Sequence, residues 1–204
     1  MKSTPFFAIA AAAALFAAGP SYAQQSGQQS QGTQAAAGKS SSKAAGADAK
    51  YLKQLAQDNI AEIELGKLAQ QKAQDSQVKD FAQKMVDDHT KLLADLQKVA
   101  EEQDVQLPTA PDAKHQKMMK KMQSLSGEKF DREYMQAMVK DHKQAVKLLE
   151  RTQKRAKVDA VKSAAQQAEP EIRNHLQMAQ SVSKSEKASA GKTAKSGSQA
   201  GAAR

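Results

Sequence analysis

Four histidines are the side chains of this cysteine-free chain best suited to metal binding and to proton transfer near neutral pH. Two of them close a repeated phrase. Phe81–His89 reads FAQKMVDDH and Tyr134–His142 reads YMQAMVKDH, so aromatic-x-Gln-x-Met-Val-x-Asp-His recurs at an offset of 53 residues. The third, His175, follows EPEIRN, and the fourth, His115, stands among lysines and methionines in a proline-flanked stretch. Neutral imidazoles bring nitrogen ligands to first-row metals, and an inward carboxylate can add an oxygen or hold a ring by its second N–H.

Chemistry at these residues requires elements that gather them. At 100° per residue, Phe81, Met85, His89, Leu92 and Leu96 fall on one helical face, as do Tyr134, Met138, His142, Ala145 and Leu149. Each histidine therefore interrupts an apolar stripe. A helix over about 49–73 buries Leu52, Leu55, Asn59, Ile63, Gly66 and Ala69, with Glu62 among them, and Gly66 permits a neighbouring helix to approach closely. Asp75 or Ser76 caps a second helix reaching about residue 103, and the short turn makes the two an antiparallel hairpin. Counted from that turn at 1.5 Å per residue, Glu62 and His89 lie roughly 18 and 22 Å along the axis, at nearly one height. A third long helix spans about 128–156. A fourth, capped by Asp159, carries Val161, Ala165, Ala168, Ile172, Leu176 and Ala179 inward, with His175 on its flank and Pro170 as a kink or restart.

Between the second and third helices, Pro108 and Pro111 interrupt the chain, and 112–125 forms a short amphipathic helix. Its Met118, Met119 and Met122 suit either an apolar lid on the bundle or copper(I), and His115 is read as a surface residue. No alternating strand pattern occurs. The fold class is therefore all-α: an antiparallel four-helix bundle with a short extra helix in the connection between helices 2 and 3. That connection is long enough to be a crossover, so helices 2 and 3 can run parallel or antiparallel.

Each long helix contributes one inward polar residue near mid-height, namely Glu62, His89, His142 and His175. Together they form a candidate site for one divalent transition metal, Zn, Fe, Mn or Cu, with Asp88 and Asp141 placed to accept second imidazole N–H groups. The competing reading is a buried Glu/His/Asp network that fixes helix register without an ion. No nucleophile or phosphate-binding loop accompanies the site, which points away from an enzyme, and no catalytic or organic-cofactor residue is assigned.

The two ends bound the remaining possibilities. Residues 1–23 have the pattern of a signal peptide: Lys2, an apolar run over 6–18, and a Ser-Tyr-Ala cleavage site. The run is shorter than the roughly 20 residues that span a bilayer, so no transmembrane anchor is expected after cleavage. Residues 24–48 read as a disordered linker, 49–182 as the bundle, and 183–204 as a disordered basic tail. The formal charge of +9 sits mostly at these ends, with +4 in the tail and two positive charges, Lys39 and Lys43, in the linker. It implies loose contact with anionic envelope surfaces and argues against nucleic-acid binding, since no aromatics interleave the tail lysines. The expected location is the periplasm or cell envelope, including the outer membrane surface. Homo-oligomerisation stays open.

The combination of NIAEIELGKLAQQKAQDSQVKDFAQKMVDDH, Leu-Pro in the connection, FDREYMQAMVKDH and EPEIRNHLQMAQ resembles the DUF4142 family of exported bacterial proteins, over about 51–182. The resemblance implies a ferritin-like bundle and an envelope location, and no established activity. Ferritin-like di-iron proteins use Glu-x-x-His pairs. Here Val86, Val139 and Ile172 stand three residues before the histidines, and Glu171 four before His175, so one ion fits better than two. The leading expectation is a non-catalytic exported bundle holding one metal ion, with a role in envelope stress or metal handling. Two alternatives remain, a structural or interaction module of the envelope and a metal-dependent oxidoreductase, the latter disfavoured by the missing carboxylates.

Overall fold

The computed structural model describes residue 44 and residues 46–200. The expected signal peptide, most of the expected linker and the last four residues lie outside the described residues. Five helices and no strand occur among those described: α1 (Ala47–Lys72), α2 (Ser76–Glu102), α3 (Ala113–Gln123), α4 (Gly127–Arg155) and α5 (Asp159–Ala200). The long helices α1, α2, α4 and α5 form a ferritin-like four-helix bundle, and α3 is the extra helix of the connection.

The helix starts follow local chemistry. Asp75 caps α2 by accepting from the N–H groups of Gln77 and Val78, at 2.6 and 3.4 Å. Asp112 caps α3 through the His115 N–H at 2.9 Å. Gly127 opens α4 at a φ of +59°, a conformation that costs glycine little. Asp159 departs from expectation: the N–H groups of Val161 and Lys162 bond to the Val158 carbonyl, so Val158 is the cap and Asp159 begins the helix beside Lys162. α5 passes through Pro170 without interruption and continues beyond Val182 to Ala200. Ser183 and Glu186 are buried, so residues 183–188 pack where a free tail was expected; no glycine or proline in that stretch stops the helix.

Two apolar clusters fill the bundle. One gathers Leu52, Leu55, Leu96, Val146, Leu149, Val161 and Ile172. The other gathers Leu65, Val78, Phe81, Met85, Tyr134, Met138 and Ala179. Along α1 and α5 the chain meets the first cluster before the second, and along α2 and α4 the order is reversed. Helices α2 and α4 are therefore parallel, while α1–α2, α4–α5, α2–α5 and α1–α4 are antiparallel neighbours. The connection carrying α3 crosses the length of the bundle.

Two buried carboxylates tie the hairpins together at opposite ends. Asp131 near the start of α4 accepts from the N–H groups of Gln74 and Asp75, at 3.1 and 2.9 Å, and so holds the α1–α2 turn. Asp48 in the first turn of α1 accepts from Lys157 and Val158, at 2.7 and 2.8 Å, holding the α4–α5 turn. Gly66 is where α1 meets α2, since a β-carbon there would lie 2.9 Å from Val86 Cγ2 and 3.0 Å from the Ala82 carbonyl oxygen. Short α3 packs on α1 and α4. Met122 is buried in the Phe81 cluster and Met118 and Met119 pack against it, as an apolar lid requires.

Candidate metal centre

Every long helix passes from one apolar cluster to the other through a buried polar residue, so Glu62, His89, His142 and His175 form a layer at mid-height. The three histidines meet there. Their ring centroids form a nearly equilateral triangle, 5.6 Å between His89 and His142, 5.2 Å between His89 and His175, and 5.5 Å between His142 and His175. One nitrogen from each lies within 4.8 Å of the other two.

Each ring is held by its other nitrogen. His89 Nδ1 lies 3.0 Å from Asn59 Oδ1, and the Asn59 amide is oriented by its own 2.7 Å donation to the Leu55 carbonyl. His142 Nδ1 lies 2.9 Å from the Met138 carbonyl oxygen one turn back. His175 Nε2 lies 2.9 Å from Asp88 Oδ2. All three partners can only accept, so the proton sits on those nitrogens. His89 Nε2, His142 Nε2 and His175 Nδ1 are left as lone pairs, buried and without a hydrogen-bond partner.

The electrostatics keep the rings neutral. Burial, followed by the proximity of His142 and His175, pushes His89 well below the usual imidazole range. Burial holds His142 down at about 4, and it also lowers His175 despite the opposing pull of Asp88. For Asp88 burial alone would raise the carboxyl, but hydrogen bonds from Lys84 and His175 outweigh it and hold it at about 2. That carboxylate is an anion at neutral pH.

The layer differs in part from the set expected of the sequence. His175 is fully buried rather than on a flank, because α5 presents it between Ile172 and Ala179 while Leu176 takes the edge. Asp88 does accept a neighbouring helix's imidazole N–H. Asp141 does not: its Oδ1 pairs with Lys114 at 3.2 Å, because it faces α3. Glu62 is buried but stands outside the converging nitrogens, its Oε1 lying 3.7 Å from His142 Nδ1, the nitrogen that faces Met138. Burial first, then Asp141 and Asp58, push the Glu62 carboxyl well up. His115 is also buried rather than on the surface, with Nδ1 2.9 Å from Asp112 Oδ1.

Asn59 and the Met138 carbonyl were not assigned a role from the sequence. Asn59 left a usable signal, being an amide inside the inward stripe three residues before Glu62. A second grouping, Asp88, Glu171 and His175, is closed to a cation by Lys84, which pairs with Asp88 and approaches Glu171 at 3.8 Å.

One side of the histidine layer is sealed by Phe81, Met85, Tyr134 and Met138, with the Phe81 ring edge-on to His142 at 6.4 Å. On the other side lies a cavity of about 590 Å³ that His89, His142 and Glu62 help to line.

The family model described as a domain of unknown function, DUF4142, matches residues 31–182. A DUF305 protein from Streptomyces coelicolor, assigned as secreted, is similar in structure at a TM-score of 0.55 and 16% identity, over 65% of this chain and 88% of that one. CopM in its Cu(II)-bound form is similar at a TM-score of 0.58 and 14% identity, over 68% of this chain and 96% of that one. At these identities the likeness is one of fold. A search of curated proteins finds no sequence match.

Proposed function

The chain belongs to the DUF4142 family, and from that premise and the histidine layer we propose that it is an exported bundle protein that binds one divalent transition-metal ion. His89 Nε2, His142 Nε2 and His175 Nδ1 are the ligands. The observation that carries this reading is the trio of unpartnered lone pairs. A network built only for packing leaves few buried acceptors unmade, because each costs about 1–3 kcal/mol, and here three occur in one place with every second nitrogen committed. A tetrahedral ion with nitrogens at about 2.0–2.1 Å needs them roughly 3.4 Å apart, so binding draws the rings slightly together.

Three imidazoles suit Zn, Cu or Fe better than Mn, which favours oxygen. A bundle of this fold holds Cu(II) in CopM, which supports copper among the candidates. Export rests on the signal-like pattern of residues 1–23; among the described residues no helix is long and apolar enough to cross a membrane. The periplasm or envelope is the proposed location, and metal handling the proposed role.

Metal analysis of the purified protein and melts with Zn(II), Cu(II), Fe(II) or Mn(II) and with chelator test this directly. One equivalent of ion should bind, and ligand at a hundred times its dissociation constant should add about 2.7 kcal/mol of stability. Binding should be lost in His89→Ala and His142→Ala. A protein that takes up no ion, and whose melting temperature no ion raises, rules the reading out in favour of a packing network.

A further inference from the structure

The three candidate ligand nitrogens are buried, so an ion reaches them only by passing through the protein. One face of the histidine layer offers no passage, because Phe81, Met85, Tyr134 and Met138 close it, each at most 1% exposed. The other face opens into the cavity of about 590 Å³, whose inner end is formed by His89, His142 and Glu62. Its outer end reaches solvent, since exposed Asp95, Glu102 and Gln167 also line it. The space between exists because α5 faces α2 with Ala160, Ala164 and Ala168, side chains too short to fill the seam, leaving Leu92 and Val99 only half-buried at its edge.

Six carboxylates and two lysines line this cavity. Each lysine is paired with one of the acids, Lys98 with Asp95 at 2.8 Å and Lys114 with Asp141 at 3.2 Å, and the lining as a whole stays negative. The acids are graded in depth: Asp95 and Glu102 are exposed, Asp58 and Glu171 half-buried, and Glu62 and Asp141 each 7% exposed. The two deepest keep an acceptor free, since Glu62 Oε2 and Asp141 Oδ2 are buried without a hydrogen-bond partner. A cleft lined by one sign of charge between low-dielectric walls focuses its field, and raises the association rate of the opposite charge by roughly 10–10³. Carboxylate oxygens can also stand in for the water around a divalent ion, while imidazole is the better-matched ligand for Zn, Cu or Fe.

Resting on the metal reading above, we propose that this cavity is the route by which an aquated divalent cation enters, along the α2–α5 seam, and that its carboxylates are the transient stations of the passage. Asp95 and Glu102 draw the ion to the mouth. Glu62 and Asp141 offer it oxygen at the inner end, where water is displaced, before the imidazole nitrogens take it. Glu62 thereby serves the centre without belonging to the final nitrogen set.

The test mixes the full metal-free chain with Co(II) in a stopped-flow instrument and follows the visible spectrum, which reports coordination by nitrogen. Uptake should slow about tenfold between about 0.01 and 1 M salt, as the Debye length falls from roughly 30 to 3 Å. Glu102→Lys, at the mouth, should slow uptake about threefold at low salt and leave it unchanged at high salt. Ala168→Leu, which narrows the passage, should slow uptake and chelator-driven release alike by about tenfold and keep the affinity, because a route sets both rates and not their ratio. Two results overturn the route while leaving the metal site standing: uptake is equally fast at both salt concentrations, or it is as fast in Ala168→Leu as in wild type. Failure of Co(II) to bind at all removes the metal reading and this inference together.

Discussion

At the scale of single residues, the proposed metal binding turns on which nitrogen of each histidine carries a proton. Asn59, the Met138 carbonyl and Asp88 decide that, and they leave three lone pairs in one buried place. Asp88 is the one anion in this set, so its removal is the most informative change. Asp88→Asn takes away the charge that binds the His175 N–H and Lys84, and it should weaken metal affinity by roughly 10–100-fold with helicity unchanged, as loss of such an anchoring partner does. Competition with a chromophoric chelator measures it, and an affinity within a factor of two of wild type would remove Asp88 from the site. The depressed imidazoles also make a pH prediction for the metal-free protein. Their folded pKa lies below the unfolded value near 6.5, so the unfolded chain binds more protons and stability falls as pH drops. The loss begins near pH 6.5 and, for His142, levels off near 4, a cost on the order of 3 kcal/mol. Urea midpoints of chelator-treated protein from pH 7.5 to 4 should fall accordingly, and His142→Gln should flatten part of the slope.

At the scale of elements, the repeat around Phe81 and Tyr134 is legible as two helices because its apolar positions recur at three and four residues. Its aromatic, methionine and histidine all proved buried, in α2 and α4. What periodicity could not resolve was position on the rim of a face: His175 and Leu176 differ by 100°, and packing against α2 and α4 determined which is central. The close approach at Gly66 gives a prediction with a definite sign. In an exposed helix Gly→Ala stabilises by up to about 1 kcal/mol. Here the added carbon meets the Ala82 carbonyl oxygen, which cannot move without α2, so Gly66→Ala should instead destabilise by about 1 kcal/mol or more in chemical denaturation. A gain in stability would show that the α1–α2 contact is looser than described.

At the scale of the whole molecule, the bundle is two hairpins joined by a crossover and pinned at both ends by acids. Each pin reaches from the start of one hairpin to the turn of the other, so it acts on the tertiary arrangement and not on any single helix. Asp131→Ala should lose about 2–3 kcal/mol, since hydrogen bonds to a charged acceptor contribute roughly 1.5–3 and the turn N–H groups are left unpaired. Asp131→Asn, which keeps one acceptor, should lose about half of that. Thermal unfolding of both variants provides the check, and a cost under about 0.5 kcal/mol for the alanine variant would show that the clamp contributes little.

The sequence by itself determined the number of long helices, most of their inward faces, the mid-height polar residues and the family, because each follows from local spacing or a contiguous motif; on α1 the expected inward Ile63 is half-exposed and Leu65 is buried in its place. The parallel orientation of α2 and α4, the exclusion of Glu62 from the nitrogen cluster, the turn of Asp141 toward Lys114 and the cavity beside the histidines were decided only in three dimensions. The reason is physical: a helical stripe specifies direction to within a fraction of a turn, whereas a ligand set depends on which atom of each side chain its neighbours on other helices have already taken.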